Sequence, residues 1–150
     1  MSFEDDNLLA LYNDRLVALS SQVSVPVRLS FFDATAHAFS PICGSEVDID
    51  IAVRDDKIIT FGYEVEACAL TKAVVAVMRR ALIGKGLSDI RRIARQMEDM
   101  LSGATPVFDA DWQELSVLEP VRDYKARHNS IMLPFEAVEK AFMHLDEGKK

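Results

Sequence analysis

Residues 46–63 have the sequence EVDIDIAVRDDKIITFGY, and this stretch decides the fold. Its first half alternates apolar and mostly acidic residues, with the apolar positions at Val47, Ile49, Ile51 and Val53. A period of two indicates a strand with one buried face. Asp55-Asp56 then predicts a tight turn, and residues 57–63 predict the returning partner strand. The sequence therefore predicts an antiparallel β-hairpin.

The segments around the hairpin predict an α+β fold. A strand or extended segment runs from Leu29 to Phe39, before the hairpin. Apolar spacing and capping residues predict helices over Asn7–Ser20, Cys68–Leu82, Ser88–Leu101, Trp112–Leu118 and Ile131–Leu145, with Pro134 in the first turn of the last one. The order helix, three strands, helices favours a three-stranded antiparallel sheet with helices packed on one face. No linker divides the chain, so we expect residues 1–150 to form a single domain.

Charge and hydropathy exclude several classes of function. The net charge of −7 argues against nucleic acid and against an anionic membrane surface, because both require a basic face. No apolar run approaches the roughly 18 residues of a membrane-spanning helix. The acidic beginning, Ser2-Phe3-Glu4-Asp5-Asp6, lacks the basic character of a secretory signal. We therefore expect a cytoplasmic protein, in which cysteines are reduced thiols rather than a disulfide.

The two cysteines of the chain lie at the two ends of the hairpin region. Cys43 precedes the first hairpin strand within PICGS, and Cys68 begins a predicted helix within EACA. Their separation of 25 residues is the span of one hairpin, so both thiols can return to the same end of the sheet. The N-terminus of a helix favours a thiolate, which is the form that attacks sulfur and binds metal. The alternative is a pair of small buried residues with inert thiols.

These motifs resemble the U-type iron–sulfur cluster assembly scaffolds, namely the NifU N-terminal domain, IscU and SufU. The resemblance rests on the PICGS loop entering an alternating strand, on residues 62–69 (GYEVEACA) leading to a buried helix, and on Gly84-Lys85 after that helix. It covers the chain from about Tyr12 to Leu145 and implies a SufE/NifU-like fold. In that family three cysteines and an aspartate hold a two-iron cluster or a zinc ion, and the cysteines accept sulfur from a cysteine desulfurase.

Two positions of this chain depart from the family pattern. The resemblance places Ser130 where the family has its third cysteine, with Asn129 as the next candidate if the register slips by one. It places Ser45 where the family has its aspartate. A serine hydroxyl does not ionise near neutral pH and is a poor ligand for zinc or iron. The remaining candidate ligands for a metal or a cluster are Cys43, Cys68 and His128.

The resemblance implies a function in iron–sulfur cluster assembly, as a carrier rather than an enzyme. In this hypothesis Cys43 and Cys68, with His128 as a third ligand, bind iron, zinc or a labile cluster, weakly held if at all, and the two cysteines accept sulfur. A cysteine desulfurase is the expected partner, whereas nucleic acid and membranes are not expected, and the oligomeric state is left open. The alternative hypothesis is a metal-free interaction or regulatory module that keeps the scaffold fold and binds a desulfurase or another assembly partner.

Overall fold

The structure is a computed structural model that describes residues 14–42 and 44–148, with side chains described as far as Leu145. The regular elements are α1 (Asp14–Ser21), β1 (Ala34–Phe39), β2 (Glu46–Arg54), β3 (Lys57–Glu66), α2 (Ala69–Ala81), α3 (Leu87–Leu101), two 3-10 segments (Ala110–Asp123 and Lys125–Arg127) and α4 (His128–Gly148). Cys43 and the part of the first predicted helix before Asp14 lie outside the described residues.

The three strands form one antiparallel sheet in the order β1-β2-β3. Strand β2 lies in the centre, so that Ile49 is opposite Ala36 on β1 and opposite Tyr63 on β3. Asp55 and Asp56 form the turn with φ values of 55° and 64°. Positive φ values at both central residues are those of a type I′ turn, whose twist matches that of the two hairpin strands. Aspartate adopts this left-handed conformation more readily than most residues do. The predicted hairpin is therefore confirmed.

The helices cover one face of the sheet. Val47, Ile49 and Ile51 are completely buried on this inner face, where α4 packs against β1 and β2 and α2 packs near β3. Helix α2 is buried on most of its sides, as its apolar sequence predicts, because α1, α4 and the first 3-10 segment also surround it. The predicted α+β class, a three-stranded antiparallel sheet with helices on one face, is confirmed.

The other face of the sheet is partly covered as well, which the alternating pattern did not predict. Residues 27–33 leave the edge of β3, where Val27 pairs with Tyr63, and cross the outer face to the start of β1. The chain can cross here because residue 62 is a glycine: a Cβ at this position would lie 2.8 Å from Leu29 Cγ and 2.8 Å from the carbonyl oxygen of Val27. This crossing shortens β1 relative to the predicted extended segment 29–39.

The crossing segment buries Asp50, a carboxylate that the alternation places on the outer face. Asp50 is 0% exposed and accepts hydrogen bonds from Arg28 Nε (2.8 Å) and Nη2 (3.0 Å), from the Leu29 amide (3.1 Å) and from the Thr35 hydroxyl (2.8 Å). Burial by itself raises the pKa of Asp50, but the hydrogen bonds from Arg28, Leu29 and Thr35 outweigh it, so the pKa lies below its ordinary value. The pKa of Arg28 is raised, chiefly by the same hydrogen bond to Asp50.

Three predicted helices differ from the observed ones in extent or type. Trp112–Leu118 is part of a longer 3-10 segment, in which Pro120 replaces an amide donor that a continuing α-helix would need. The last helix begins at His128 rather than Ile131, so Pro134 lies in its second turn and not in its first. Helix α3 begins at Leu87, one residue before the predicted Ser88. Within the described ranges no helix is both long and apolar enough to cross a membrane.

Candidate functional site

Three separate segments meet at the end of the sheet opposite the β2–β3 turn. They are the loop from Ser40 to Ser45, the beginning of α2 at Cys68, and the beginning of α4 at residues 129–130. The first two converge because β2 and β3 are antiparallel, so the start of β2 lies beside the end of β3, with Glu46 opposite Glu66. The 25-residue spacing of the cysteines predicts that both thiols return to this end of the sheet; the structure places Cys68 here, and Cys43 lies outside the described residues.

Hydrogen bonds join the loop to itself and to α4. The Ser40 amide donates to the Ser45 carbonyl (2.9 Å), and the Gly44 amide donates to the Ser40 carbonyl (2.8 Å). Gly44 has a φ of 74°, in the left-handed region that favours glycine. The Ser40 hydroxyl donates to Asn129 Oδ1. Residues 40 and 44–45 of the loop are therefore held against the first turn of the last helix.

Cys68 is the residue that immediately precedes α2. Its backbone is extended (φ −70°, ψ 168°), and its side chain is partly buried against the hydrophobic core. The thiol sulfur lies 3.6 Å from Thr71 Oγ1, within reach of a sulfur–oxygen hydrogen bond. Cys68 thus stands at a helix N-terminus, as predicted, with one hydroxyl neighbour from the same helix.

Thr71 also connects α2 to α4. Its hydroxyl donates a 2.8 Å hydrogen bond to the main-chain carbonyl of Ser130. That carbonyl has no helical i+4 amide to accept from, because residue 134 is a proline and has no N–H. Pro134 therefore makes the Ser130 carbonyl available to a donor on a neighbouring helix, and Thr71 supplies that donor. We did not predict Thr71 or this role of Pro134, although the spacing of four residues between Ser130 and Pro134 is visible in the sequence.

Two serines lie at the positions where the family comparison expects metal ligands. Ser130 is 0% exposed and Ser45 is 2% exposed, and both take part in hydrogen bonds or other polar contacts. The main chain of Ser130 is held to α2 by the Thr71 bond, and Asn129, the other candidate, accepts from Ser40; the assignment of Ser130 to the third cysteine position stays a prediction.

The structure places His128 away from Cys68. Its Nε2 lies 3.1 Å from the carbonyl oxygen of Val121 and 3.1 Å from that of Arg122, so this nitrogen carries a proton and donates to the 3-10 segment. The ring lines a separate surface depression together with Gly103, Lys125 and neighbouring residues. Its assignment as a ligand stays a prediction, and with Nε2 donating to these carbonyls the nitrogen left for a metal is Nδ1.

The side chains that could bind a metal at this end of the sheet are too few, among the described residues, to complete a metal site. Among the residues that the structure describes, no three His, Cys, Asp or Glu side chains form a group that could hold a metal ion. Cys43 lies outside those residues, so the sequence supplies at most one further thiol, with two serine hydroxyls at the other expected positions. Hydroxyls are weak ligands for zinc and iron. The residues that the structure describes therefore do not by themselves complete a site for a tightly held metal.

Comparisons with known proteins identify the family. A family model described as the NifU-like N terminal domain matches residues 25–130, more than two thirds of the chain. The zinc-dependent sulfurtransferase SufU of Bacillus subtilis (strain 168) is 24% identical over 109 residues, which cover 73% of this chain and 74% of that protein.

Solved structures show the same fold. The crystal structure of a nitrogen-fixing NifU-like protein (N-terminal) from Brucella abortus has 35% sequence identity and a TM-score of 0.84, and the match covers 91% of this chain and 95% of that chain. A SufU described as a putative iron–sulfur cluster assembly scaffold protein for the SUF system, from Fervidobacterium islandicum AW-1, has 22% identity and a TM-score of 0.78, covering 88% and 96%. The chain therefore belongs to the family of NifU-like N-terminal domains.

Proposed function

We propose that this protein takes part in iron–sulfur cluster assembly as a carrier, with Cys43 and Cys68 as the residues that receive sulfur or a labile metal cargo. The observation that carries the proposal is the convergence of the PICGS loop, the Cys68 helix start and the Ser130 segment at one end of the sheet. Membership of a family that includes scaffold proteins supports it. The proposed setting is the cytoplasm, and the proposed sulfur donor is a cysteine desulfurase.

The sulfur step is a thiol–persulfide exchange. The Cys68 thiolate attacks the terminal sulfur of a persulfide on the donor protein, a new S–S bond forms on Cys68, and the donor's own S–S bond breaks. The donor cysteine leaves as a thiolate, so the exchange conserves electrons and needs no further oxidant. The position of Cys68 at the start of α2, only partly buried, suits a thiol that must meet another protein.

Iron, zinc or a cluster would be bound here only as cargo. Two thiols, with the His128 imidazole as a third candidate ligand, are fewer good ligands than a structural zinc site or a stable two-iron cluster requires. We therefore propose weak binding that releases its metal readily, and we assign the buried serines no role as ligands.

Persulfide labelling and metal analysis test this proposal. The wild-type protein is incubated anaerobically with a cysteine desulfurase and cysteine, persulfides are detected by a mass increase of one sulfur on a tryptic peptide, and iron and zinc are measured after desalting. We expect sulfur on the peptides of Cys43 or Cys68 and none on the Cys43→Ala/Cys68→Ala variant, which has no thiol because the chain contains only two cysteines. Single variants assign the acceptor. Equal and negligible sulfur and metal in wild type and double variant would refute the carrier function.

A second candidate function is a metal-free module that keeps the fold and binds an assembly partner. The observation that favours it is the burial of Ser45 and Ser130 at two expected ligand positions. A complex with the desulfurase that forms without persulfide labelling would support the module, whereas labelling supports the carrier. The variant Ser45→Asp/Ser130→Cys tests the site geometry separately: tight zinc binding by this variant would show that only two side chains separate this site from a complete one.

A further inference from the structure

Within the described residues, the segment that crosses the outer face of the sheet does not reach the cysteine end, where the side chains are exposed or partly buried. Opposite positions on the three strands form rows across this face: Phe39, Glu46 and Glu66 in the row nearest the cysteine end, and His37, Asp48 and Glu64 in the next. The crossing segment 27–33 covers only the row after these, which contains Asp50. We call the six residues of the two uncovered rows the acidic face.

The acidic face brings like charges together. Glu46 is directly opposite Glu66, and Asp48 is directly opposite Glu64. Carboxylates directly opposite each other on neighbouring strands destabilise a sheet. Among the residues that the structure describes, Arg28 reaches Glu64 at 3.4 Å while it binds the buried Asp50, and the His37 ring lies 2.9 Å (Nδ1) from Asp48. At the rim, Lys140 donates to the main-chain carbonyl of His37. The face therefore carries a net negative charge.

The chain itself shows which kind of segment fits this face. Residues 27–33 lie across the sheet without forming a regular strand, and their arginine binds carboxylates on β2 and β3. The acidic face lies next to this covered surface, toward the cysteine end. Its carboxylates are on the same two strands, β2 and β3, as those that Arg28 binds. It adds one apolar element, Phe39, which is 52% exposed.

We propose that the acidic face docks an extended, lysine- and arginine-rich segment of a partner protein, whose cations meet the four carboxylates and whose apolar side chain packs on Phe39. Glu66 lies two residues before Cys68, and Glu46 directly follows the Ser45 loop. A segment that runs along this face toward the end of the sheet therefore reaches the stretch of chain that carries Cys68. The docking surface does not depend on which cargo the thiol carries, so it can be tested without sulfur or metal.

The test measures how fast Cys68 reacts with a peptide that should dock. The probe is a 12-residue peptide with six lysines and arginines, one leucine, and a terminal cysteine activated as a mixed disulfide with pyridine-2-thiol. In the full-length Cys43→Ser protein, the Cys68 thiolate attacks the peptide sulfur, a protein–peptide disulfide forms, and pyridine-2-thione leaves and is detected by absorbance. A peptide with glutamine in place of every lysine and arginine reports the intrinsic reactivity of Cys68, and each rate is divided by this reference.

Two charge-matched variants separate docking from general attraction. Glu46→Gln/Asp48→Asn/Glu66→Gln removes three charges from the acidic face, and Glu98→Gln/Asp99→Asn/Glu136→Gln removes three from exposed positions of α3 and α4. We expect the first variant to lower the normalised rate about tenfold at low salt and the second to lower it less than twofold. The difference should disappear near 1 M salt, where the Debye length is about 3 Å.

Several results would overturn the docking surface. Equal losses in the two variants would mean that only overall charge attracts the peptide, and equal wild-type rates for the basic and the glutamine peptide would mean that it does not dock. If the triple variant fails to fold, Glu66→Gln alone replaces it, because Glu66 is exposed at the edge strand. A threefold loss is then expected, and no loss would refute the proposal. Failure of persulfide labelling would refute the carrier function and leave these rates unaffected.

Discussion

Replacing Asp50 by asparagine should be among the most destabilising single polar substitutions in this protein. The carboxylate is fully buried and accepts four hydrogen bonds, two from Arg28, one from the Leu29 amide and one from the Thr35 hydroxyl. Asparagine keeps one oxygen and turns an NH2 group toward donors, so the two hydrogen bonds of one carboxylate oxygen are lost whichever way the amide points.

The magnitude follows from the kind of bonds that are lost. Each carboxylate oxygen accepts one bond from Arg28 and one from a neutral donor. With about 1.5–3 kcal/mol for the bond from Arg28 and about 1 kcal/mol for the bond from the uncharged donor, the loss is about 2.5–4 kcal/mol. The larger penalty of a stranded buried charge does not apply, because the Arg28 side chain is 41% exposed and also reaches Glu64.

Urea unfolding at pH 7 measures this loss. With a urea m value of about 2 kcal/mol/M, the midpoint should fall by about 1–2 M. The matched control is Asp48→Asn, one row away. The hydrogen bond of Asp48 is to the half-exposed His37, so this substitution should cost less than about 1 kcal/mol. A loss below 1 kcal/mol in Asp50→Asn, or an equal loss in the control, would show that the crossing segment is not held by this carboxylate.

The stability that Asp50→Asn removes should depend on pH. Because the folded-state pKa of Asp50 is depressed, its contribution to stability is complete above the unfolded-state pKa of roughly 3.9 and is lost as the pH falls through the folded value. The stability difference between wild type and Asp50→Asn should therefore be constant from pH 7 to about 5 and shrink below pH 4. A difference that grows on acidification would contradict the depressed pKa.

Three further substitutions test other parts of the fold. Gly62→Ala should cost about 1–3 kcal/mol in urea unfolding, because its Cβ would overlap Leu29 and the crossing backbone, and a neutral result would mean that this segment moves aside easily. Thr71→Val should cost about 1–2 kcal/mol, because it removes the hydroxyl that donates to the Ser130 carbonyl. The control Thr60→Val, at an exposed position, should cost less than about 0.5 kcal/mol. Equal costs would mean that the hydrogen bond between α2 and α4 contributes nothing specific to stability. Asp89→Asn should cost about 0.5–1 kcal/mol at pH 7, and this cost should shrink as the pH falls below about 4, since a hydrogen bond from the amide of Gly86, the N-cap residue of α3, lowers the pKa of this carboxyl; a cost that grows on acidification would contradict that reason.

The sequence predicted local structure well where one physical rule dominates. The alternation from Val47 to Val53 and the Asp55-Asp56 turn determine the hairpin, because side chains alternate between faces and only a few residues accept a left-handed turn. The apolar run after Cys68 likewise determines a buried helix. Helix ends were predicted less well. The last helix begins three residues before the predicted Ile131, because the Thr71 hydroxyl donates to the Ser130 carbonyl, which Pro134 leaves without a helical donor.

The sequence by itself determined the α+β class and the nearness of the two cysteine-bearing segments, because both follow from periodicity and from the length of one hairpin. Only the tertiary structure decided the rest of the site. It turned His128 toward the carbonyls of Val121 and Arg122 and buried Ser130 beside the Cys68 helix through Thr71. It also used Arg28 and Gly62 to cover part of a sheet face that the alternation left open. Each of these depends on contacts between residues far apart in the chain, and such contacts leave no periodic trace in the sequence.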